Sequence, residues 1–261
     1  MKAHWSPVSR RSFLSVSSLL LAPAVAKADV VRAGFPNHEP ELVQEMVLVS
    51  HARIARVKEL VGRQPALAKV SFDWGFGDWE TPIDAASHVG NRDIAEFLIA
   101  NGARPTLFTA AMLGQLDVVK ATIAASPGVQ RILGPHSITL LRHAMAGGAK
   151  AQAVVEYLKT IEGADELTAE KPLAAEDAKK LVGVYRFALT PDARVDITAN
   201  DKNQLSFGRP GRFARDLTHL GDYAFVPQGG EHVRIRFADA GGVITLTVHD
   251  PDIVLMAKKS A

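Results

Sequence analysis

A pattern that recurs between residues 42 and 160 constrains this chain more than any other feature. Its clearest copy opens with Thr81-Pro82-Ile83-Asp84-Ala85-Ala86, reaches Gly90, and runs from Asn91 to Gly102-Ala103. Thr81 suits a helix N-cap, and Pro82 suits the first helical position, where its missing N–H is not needed. Ala85 and Ala86 are small enough to let paired helices approach closely. Gly90 and Gly102 fall where helices end and where a positive φ is cheap only for glycine. Ile94, Phe97 and Leu98 recur at helical spacing and predict a buried face, with Phe97 and Leu98 in the core between helix pairs.

The plan repeats. Ala110, Gly114, Asp117, Val118, Val119 and Ile123 follow it, and so do Thr139, Ala144, Gly148, Val154, Val155 and Leu158. A weaker early copy has Val49, His51, Arg53 in the glycine place, then Val57, Leu60 and Val61. Four copies are enough to stack, whereas one helix pair alone cannot bury its apolar face. The segment from Thr81 to Ala103 resembles the ankyrin repeat, with its Thr-Pro-Leu-His-x-Ala opening and Gly-Ala exit. The resemblance implies a helical solenoid over residues 40–161 that binds other proteins. The anchors Arg53, Gly90, Gly114 and Gly148 are 37, 24 and 34 residues apart, against a usual period of about 33. The long step predicts an insertion at Phe72–Glu80. The short step predicts that the finger between the second and third repeats has nearly vanished.

Beyond residue 161 the period changes. Residues 162–175 read as a linker, and Ala175–Leu181 as a short helix. Val195-Asp196-Ile197, Val233–Phe237 and Ile244–Val248 alternate at period two, the mark of half-buried strands. Asn200-Asp201, Gly208–Gly211, Gly229-Gly230 and Gly241-Gly242 separate them as turns. About eight short strands over residues 176–261 predict a small antiparallel sandwich or barrel. Leu181, Gly183 and Tyr185 at its start resemble the small lipocalin-like β-domains of other secreted bacterial proteins. The fold class expected is α+β.

The first 28 residues have their own logic. Ser9-Arg10-Arg11-Ser12-Phe13-Leu14 leads an apolar run to Ala26, and Ala24-Val25-Ala26 and Ala26-Lys27-Ala28 are small-residue cleavage patterns. The segment resembles a twin-arginine export signal, which implies cleavage near Ala26 or Ala28 and a periplasmic mature chain. The run is too short to span a bilayer and Pro23 interrupts it, so no membrane is expected for the mature form. Four of the chain's 30 basic residues and none of its 28 acids lie in this segment, so the remainder carries a net charge of −2. That balance gives no support for nucleic-acid binding. With no cysteine in the chain, disulfides and thiolate chemistry are excluded.

Phe72–Glu80 concentrates two of the three tryptophans with three acids. Large aromatics beside polar groups are typical of recognition surfaces. His51 and His88 stand two residues before equivalent repeat anchors, and Met112 takes the same place in the third repeat, all on the surface that forms the ankyrin groove. Asp73, Trp74, Phe76, Asp78, Trp79, Glu80, His51, His88 and Met112 are therefore the expected partner-binding residues. Removing Asp78, Glu80 and His88 together is expected to leave thermal melting almost unchanged. A metal could be built from the histidines, including His136 and His143, with Asp73, Asp78 or Glu80. The histidines lack tight spacing and come from separate repeats, so they read as surface or capping residues, and no metal or cofactor is expected. His219, His232 and His249 are expected to be exposed. No Gly-x-Ser-x-Gly elbow and no phosphate loop occurs, and no catalytic residue is assigned. The expected function is non-catalytic binding of another protein in the periplasm. The alternatives are a small-ligand sensor using an open β-cavity, or a metal-dependent or hydrolytic enzyme. Convergence of the histidines and acids within hydrogen-bond reach would favour the enzyme.

Overall fold

Three threonines start three helix pairs. Thr81 precedes α3 (Pro82–His88), Thr106 precedes α5 (Leu107–Met112) and Thr139 precedes α7 (Leu140–Ala146). Each hydroxyl accepts the N–H three residues on, from Asp84, Thr109 and Arg142 respectively, at 3.2–3.3 Å. Asp84, in the place of the usual repeat histidine, accepts from Thr81 Oγ1 at 2.6 Å and from Thr106 Oγ1 at 3.1 Å. A single buried carboxylate thus links two successive caps. Burial raises its pKa, partly offset by those two hydroxyls.

This computed structural model describes residues 34–188, 190 and 193–260. The expected export signal lies outside them. The helices complete four pairs: α1 (Pro40–Val49) with α2 (Ile54–Arg63), α3 with α4 (Arg92–Ala100), α5 with α6 (Leu116–Ala125), and α7 with α8 (Gln152–Lys159). The first helix of each pair packs on the next, α1 on α3, α3 on α5 and α5 on α7, and α7 also reaches α3. Gly90, at φ +75°, lies so close to the Ala146 carbonyl that a side chain would collide with it. Met46, Leu60, Ile83, Ile94 and Leu98 form one apolar core, and Val119, Leu140, Val154 and Leu158 form another. Leu98 is fully buried as expected, but Phe97 is only partly buried and packs on the rim of the first core. Lys58 Nζ sits 5.7 Å from its ring centre.

Phe72–Glu80 is not an irregular insertion. Phe72–Asp73 (β1) and Trp79–Glu80 (β2) pair antiparallel, with Phe72 opposite Glu80. Gly75, Phe76 and Gly77 turn the chain at φ of 108°, 59° and 79°. The result is a β-finger that ends directly at the Thr81 cap.

Ala175–Leu181 is helical (α9) and precedes eight strands: β3 (Gly183–Phe187), β4 (Arg194–Ala199), β5 (Leu205–Gly208), β6 (Arg215–Gly221), β7 (Ala224–Pro227), β8 (Arg234–Ala240), β9 (Val243–Asp250) and β10 (Ile253–Lys259). Each pairs antiparallel with its neighbour in sequence, and β10 closes on β3 with Ala257 opposite Phe187. The expectation of a sandwich or barrel resolves to a closed barrel. Ile244, Leu246 and Val248 point inward from β9 while Thr245 and Thr247 face outward. Eight strands give an interior just wide enough for side chains to fill. Tyr185, Phe225 and Phe237 occupy its centre, with Phe237 5.5 Å from each of the other two rings, and Leu181 of α9 joins them. The centre is filled by side chains, and a hollow of about 390 Å³ beside it is lined by Leu205, Leu217 and Phe225 with the Glu170–Leu173 segment. His219 is buried, contrary to expectation, because Nδ1 reaches the Lys171 and Pro172 carbonyls at 3.1 and 3.2 Å. Helices and barrel belong to one unit, Glu39–Ala261.

Candidate functional site

Alternation along Asp78-Trp79-Glu80, leading into and through β2, turns the two acids to one side and Trp79 to the other. The acids face inward and the aromatic outward, the reverse of an ordinary half-buried strand. Asp78 is 4 % exposed, Glu80 is fully buried and Trp79 is 60 % exposed. Buried carboxylates need charge partners or hydrogen bonds, and both have several.

Glu80 Oε2 accepts from Trp74 Nε1 at 2.8 Å. Around Oε1 stand three histidines: His88 Nε2 at 2.9 Å, His136 Nε2 at 3.5 Å and His51 Nε2 at 3.7 Å. His88 Nε2 and His51 Nε2 are 3.0 Å apart. His51 follows α1 and His88 ends α3, so packing of α1 on α3 brings side chains 37 residues apart into contact. His136 arrives from the Pro135–Ser137 turn before α7. It holds a left-handed backbone, φ 60° and ψ 28°, followed by Ser137 at φ 57°. Such conformations cost a residue with a Cβ roughly 1–3 kcal/mol and persist where surrounding contacts hold them.

Asp78 supplies those contacts. Its Oδ1 accepts the His136 backbone N–H at 2.9 Å, and its Oδ2 lies 2.7 Å from His136 Nδ1. Arg215 of β6, only 7 % exposed, places Nη2 2.7 Å from the same Oδ2. The barrel therefore reaches the finger through a buried ion pair. The connection from β7 to β8 adds to the contact. Gln228 Nε2 donates to the His136 carbonyl at 2.9 Å, and Gly229 N–H donates to Ser137 Oγ at 2.7 Å. Gly229, at φ +79°, backs onto the Asp78 carboxyl so closely that a side chain there would overlap it.

Burial pushes the Glu80 carboxyl upward, but contacts with His136 and His88 outweigh it and hold the group at about 2. Burial pushes the His136 imidazole down, yet Asp78 and Glu80 raise it to about 9. Asp78 is lowered by His136 and Arg215 despite its own burial. His143, buried on α7 with Nδ1 2.8 Å from the Thr139 carbonyl, is depressed to about 4 mainly by burial. His136 is raised above its ordinary 6.5, so its contribution to stability is complete below pH 6.5 and is lost as pH rises through about 9. His143 acts below pH 6.5, in the opposite sense, and does not obscure that window. Chelator-treated protein is thus expected to resist urea less at pH 9 than at pH 6.5. Resistance that is flat or rising over this range would contradict the assignment.

The expected partner-binding residues thus divide. Asp73 and Trp79 are exposed, and Trp74 is partly buried against Phe72 and the barrel's Phe213, at ring distances of 4.7 and 5.1 Å. Phe76 packs on Phe207 of the barrel core at 5.4 Å. Met112 is fully buried in the helix core and presents nothing to a partner. Asp78, Glu80 and His88 face the interior, and His51 stands at the edge of the cluster. The reading of these histidines as surface or capping residues is corrected for His143, which is fully buried in the helix core, and for His51, His88 and His136, which converge on one carboxylate. Their four atoms could hold a cation, since all lie within 4.8 Å of one another. His136 and Arg215, absent from the expected site, come from a turn and a strand that sequence spacing does not connect with the finger.

Two further facts define the class of the chain. Residues 78–109, from the finger's end through the Thr106 cap, match the ankyrin-repeat family model. No curated protein has a matching sequence. The chain thus carries an ankyrin repeat within a helical region, followed by an eight-strand antiparallel β-barrel. An ankyrin repeat suggests protein binding. Among the described residues no helix is long and apolar enough to cross a membrane.

Proposed function

We propose that this chain is an exported, non-catalytic protein-binding module acting in the periplasm, whose partner docks beside the outward face of the finger. The observation that carries the reading is Trp79. It is 60 % exposed at the ankyrin finger and borders a cavity of about 260 Å³ lined also by Asp84, Thr106, Phe108, Leu133 and Glu231. Fingers and first helices are the elements that form an ankyrin groove. An exposed tryptophan beside a polar-rimmed hollow has the character of an interface anchor. Export rests on the Arg10-Arg11 leader, in residues outside those described.

One experiment tests both parts. A tagged full-length chain is expressed in bacteria with twin-arginine export and captured from the periplasmic fraction. Trp79→Ala is expected to keep the melting temperature, because the side chain is exposed, and to weaken capture of the partner at least tenfold, about 1.4 kcal/mol. Replacing Arg10 and Arg11 with lysine is expected to leave the chain in the cytoplasm. Undiminished capture by Trp79→Ala would move the partner surface away from the finger, and normal export of the lysine variant would reject twin-arginine routing.

Convergence of the histidines with Glu80 favours a second reading, a metal-dependent or hydrolytic enzyme. The cluster offers four protein ligand atoms, however. Closed structural zinc sites use four, whereas catalytic ones use three and leave a position for water. The non-catalytic reading therefore stands first.

A further inference from the structure

We infer that His51, Glu80, His88 and His136 form a four-coordinate site for a divalent transition-metal ion of the zinc type, which staples the first, second and fourth helix pairs together. Three features lead there. The first is spacing. Atoms bound tetrahedrally at 2.0–2.1 Å from one ion stand about 3.3 Å apart. The separations among these donors are 2.9 Å (His88 to Glu80), 3.0 Å (His88 to His51), 3.5 Å (His136 to Glu80) and 3.7 Å (His51 to Glu80). These four bracket the tetrahedral value, and the two remaining separations, from His136 to His88 and to His51, lie within 4.8 Å, so an ion would draw His136 inward.

The second feature is the outer contacts of three of the donors. A ligating histidine gives its other ring N–H to a carboxylate or a carbonyl, which fixes the tautomer and aims the free nitrogen at the ion. His136 Nδ1 faces Asp78 Oδ2 at 2.7 Å. His51 Nδ1 faces the Val47 and Leu48 carbonyls at 3.2 and 3.1 Å. The carboxylate and the carbonyls can only accept, so each Nδ1 keeps its N–H, although Arg215 Nη1 also stands 3.3 Å from His136 Nδ1. Nε2 is then the nitrogen that faces the centre, and an ion binding there displaces the proton that His136 otherwise holds. Trp74 occupies Glu80 Oε2 and leaves Oε1 facing the histidines. The third feature is strain. His136 keeps its left-handed backbone in the conformation that brings Nε2 to the cluster, while Asp78 holds both its backbone N–H and its Nδ1.

Imidazole nitrogens and one carboxylate oxygen suit zinc and its neighbours, not the all-oxygen shells of Ca²⁺ or Mg²⁺. Glu80 is fully buried and His51 is the most exposed of the three rings, so an ion would approach past His51. Four protein donors make the site structural. It would rigidify the finger that carries Trp79 while leaving the Arg215–Asp78 contact with the barrel behind it.

The test uses the full chain with a tag free of histidine, stripped by chelator and titrated calorimetrically with ZnCl₂, then with CoCl₂ followed by visible absorption. The result expected is one ion per chain, intense four-coordinate Co²⁺ bands, and a melting temperature that rises with zinc concentration but not with CaCl₂ or MgCl₂. His136→Ala could fail to fold, so the deciding variants are His51→Ala, at the exposed edge, and Glu80→Gln, which keeps the shape. Each is expected to weaken zinc binding at least 100-fold. His232→Ala, a barrel surface control, is expected to leave it unchanged. Absence of zinc binding in the native chain would overturn the site, as would full binding retained in both His51→Ala and Glu80→Gln or six-coordinate Co²⁺ spectra.

Discussion

Replacing Asp78 with alanine is expected to lower stability by about 3–5 kcal/mol, the cost of breaking a buried ion pair by removing one partner. The variant strands the buried Arg215 guanidinium and leaves the His136 backbone N–H and Nδ1 without their acceptor. Urea denaturation of the variant beside Asp73→Ala separates burial from loop chemistry. Asp73 is exposed on the same finger and its carboxylate accepts, among the described residues, the Gly75 N–H, so its loss should cost about 1 kcal/mol or less. Equal effects of the two substitutions would mean that Asp78 is in fact solvated. The same reasoning reverses the sequence-based expectation for the triple change at Asp78, Glu80 and His88. Melting should fall steeply, because two of the three side chains are buried and all three are hydrogen-bonded to other residues.

Leu98→Ala is expected to cost about 2–5 kcal/mol, as for other large core truncations. Leu98 packs in one apolar core with Met46, Leu60 and Ile94, so the loss should spread to both helices of the first pair. The barrel core is built from separate residues, Tyr185, Phe225 and Phe237 among them. Hydrogen exchange is expected to accelerate in α1 to α4 and to stay slow in β8 and β9. Uniform acceleration across helices and strands would mean that the two cores unfold as one.

The architecture was legible where local chemistry repeats. Thr81-Pro82 and Thr139 mark helix starts whose capping geometry is now explicit, and alternation over 233–237 and 244–248 marks strands of the barrel. Thr106 is a third such start, and Thr106 to Ala111 has the same five-residue step as Thr81 to Ala86 and Thr139 to Ala144. Phe72–Glu80 drew attention for its aromatics and acids, but its hairpin register decides which of them face inward, and register needs the partner strand. Acids at 78 and 80 around Trp79 read ordinarily as an outward acidic face, the opposite of the orientation in the structure. The histidine cluster was less accessible. It depends on α1 packing on α3 and on a left-handed turn at His136, and no spacing along the chain encodes either. The barrel's approach through Arg215 is a tertiary fact of the same kind.

The central claim is that the inward face of the finger is an internal junction between helices and barrel, and not a surface for a partner. A double-mutant cycle on Asp78→Ala and Arg215→Ala, read by urea denaturation, tests it most directly. The account predicts a coupling energy of about 1.5 kcal/mol or more, as for close charge pairs removed from water. Additivity within about 0.5 kcal/mol, the behaviour of residues that do not touch, would contradict it.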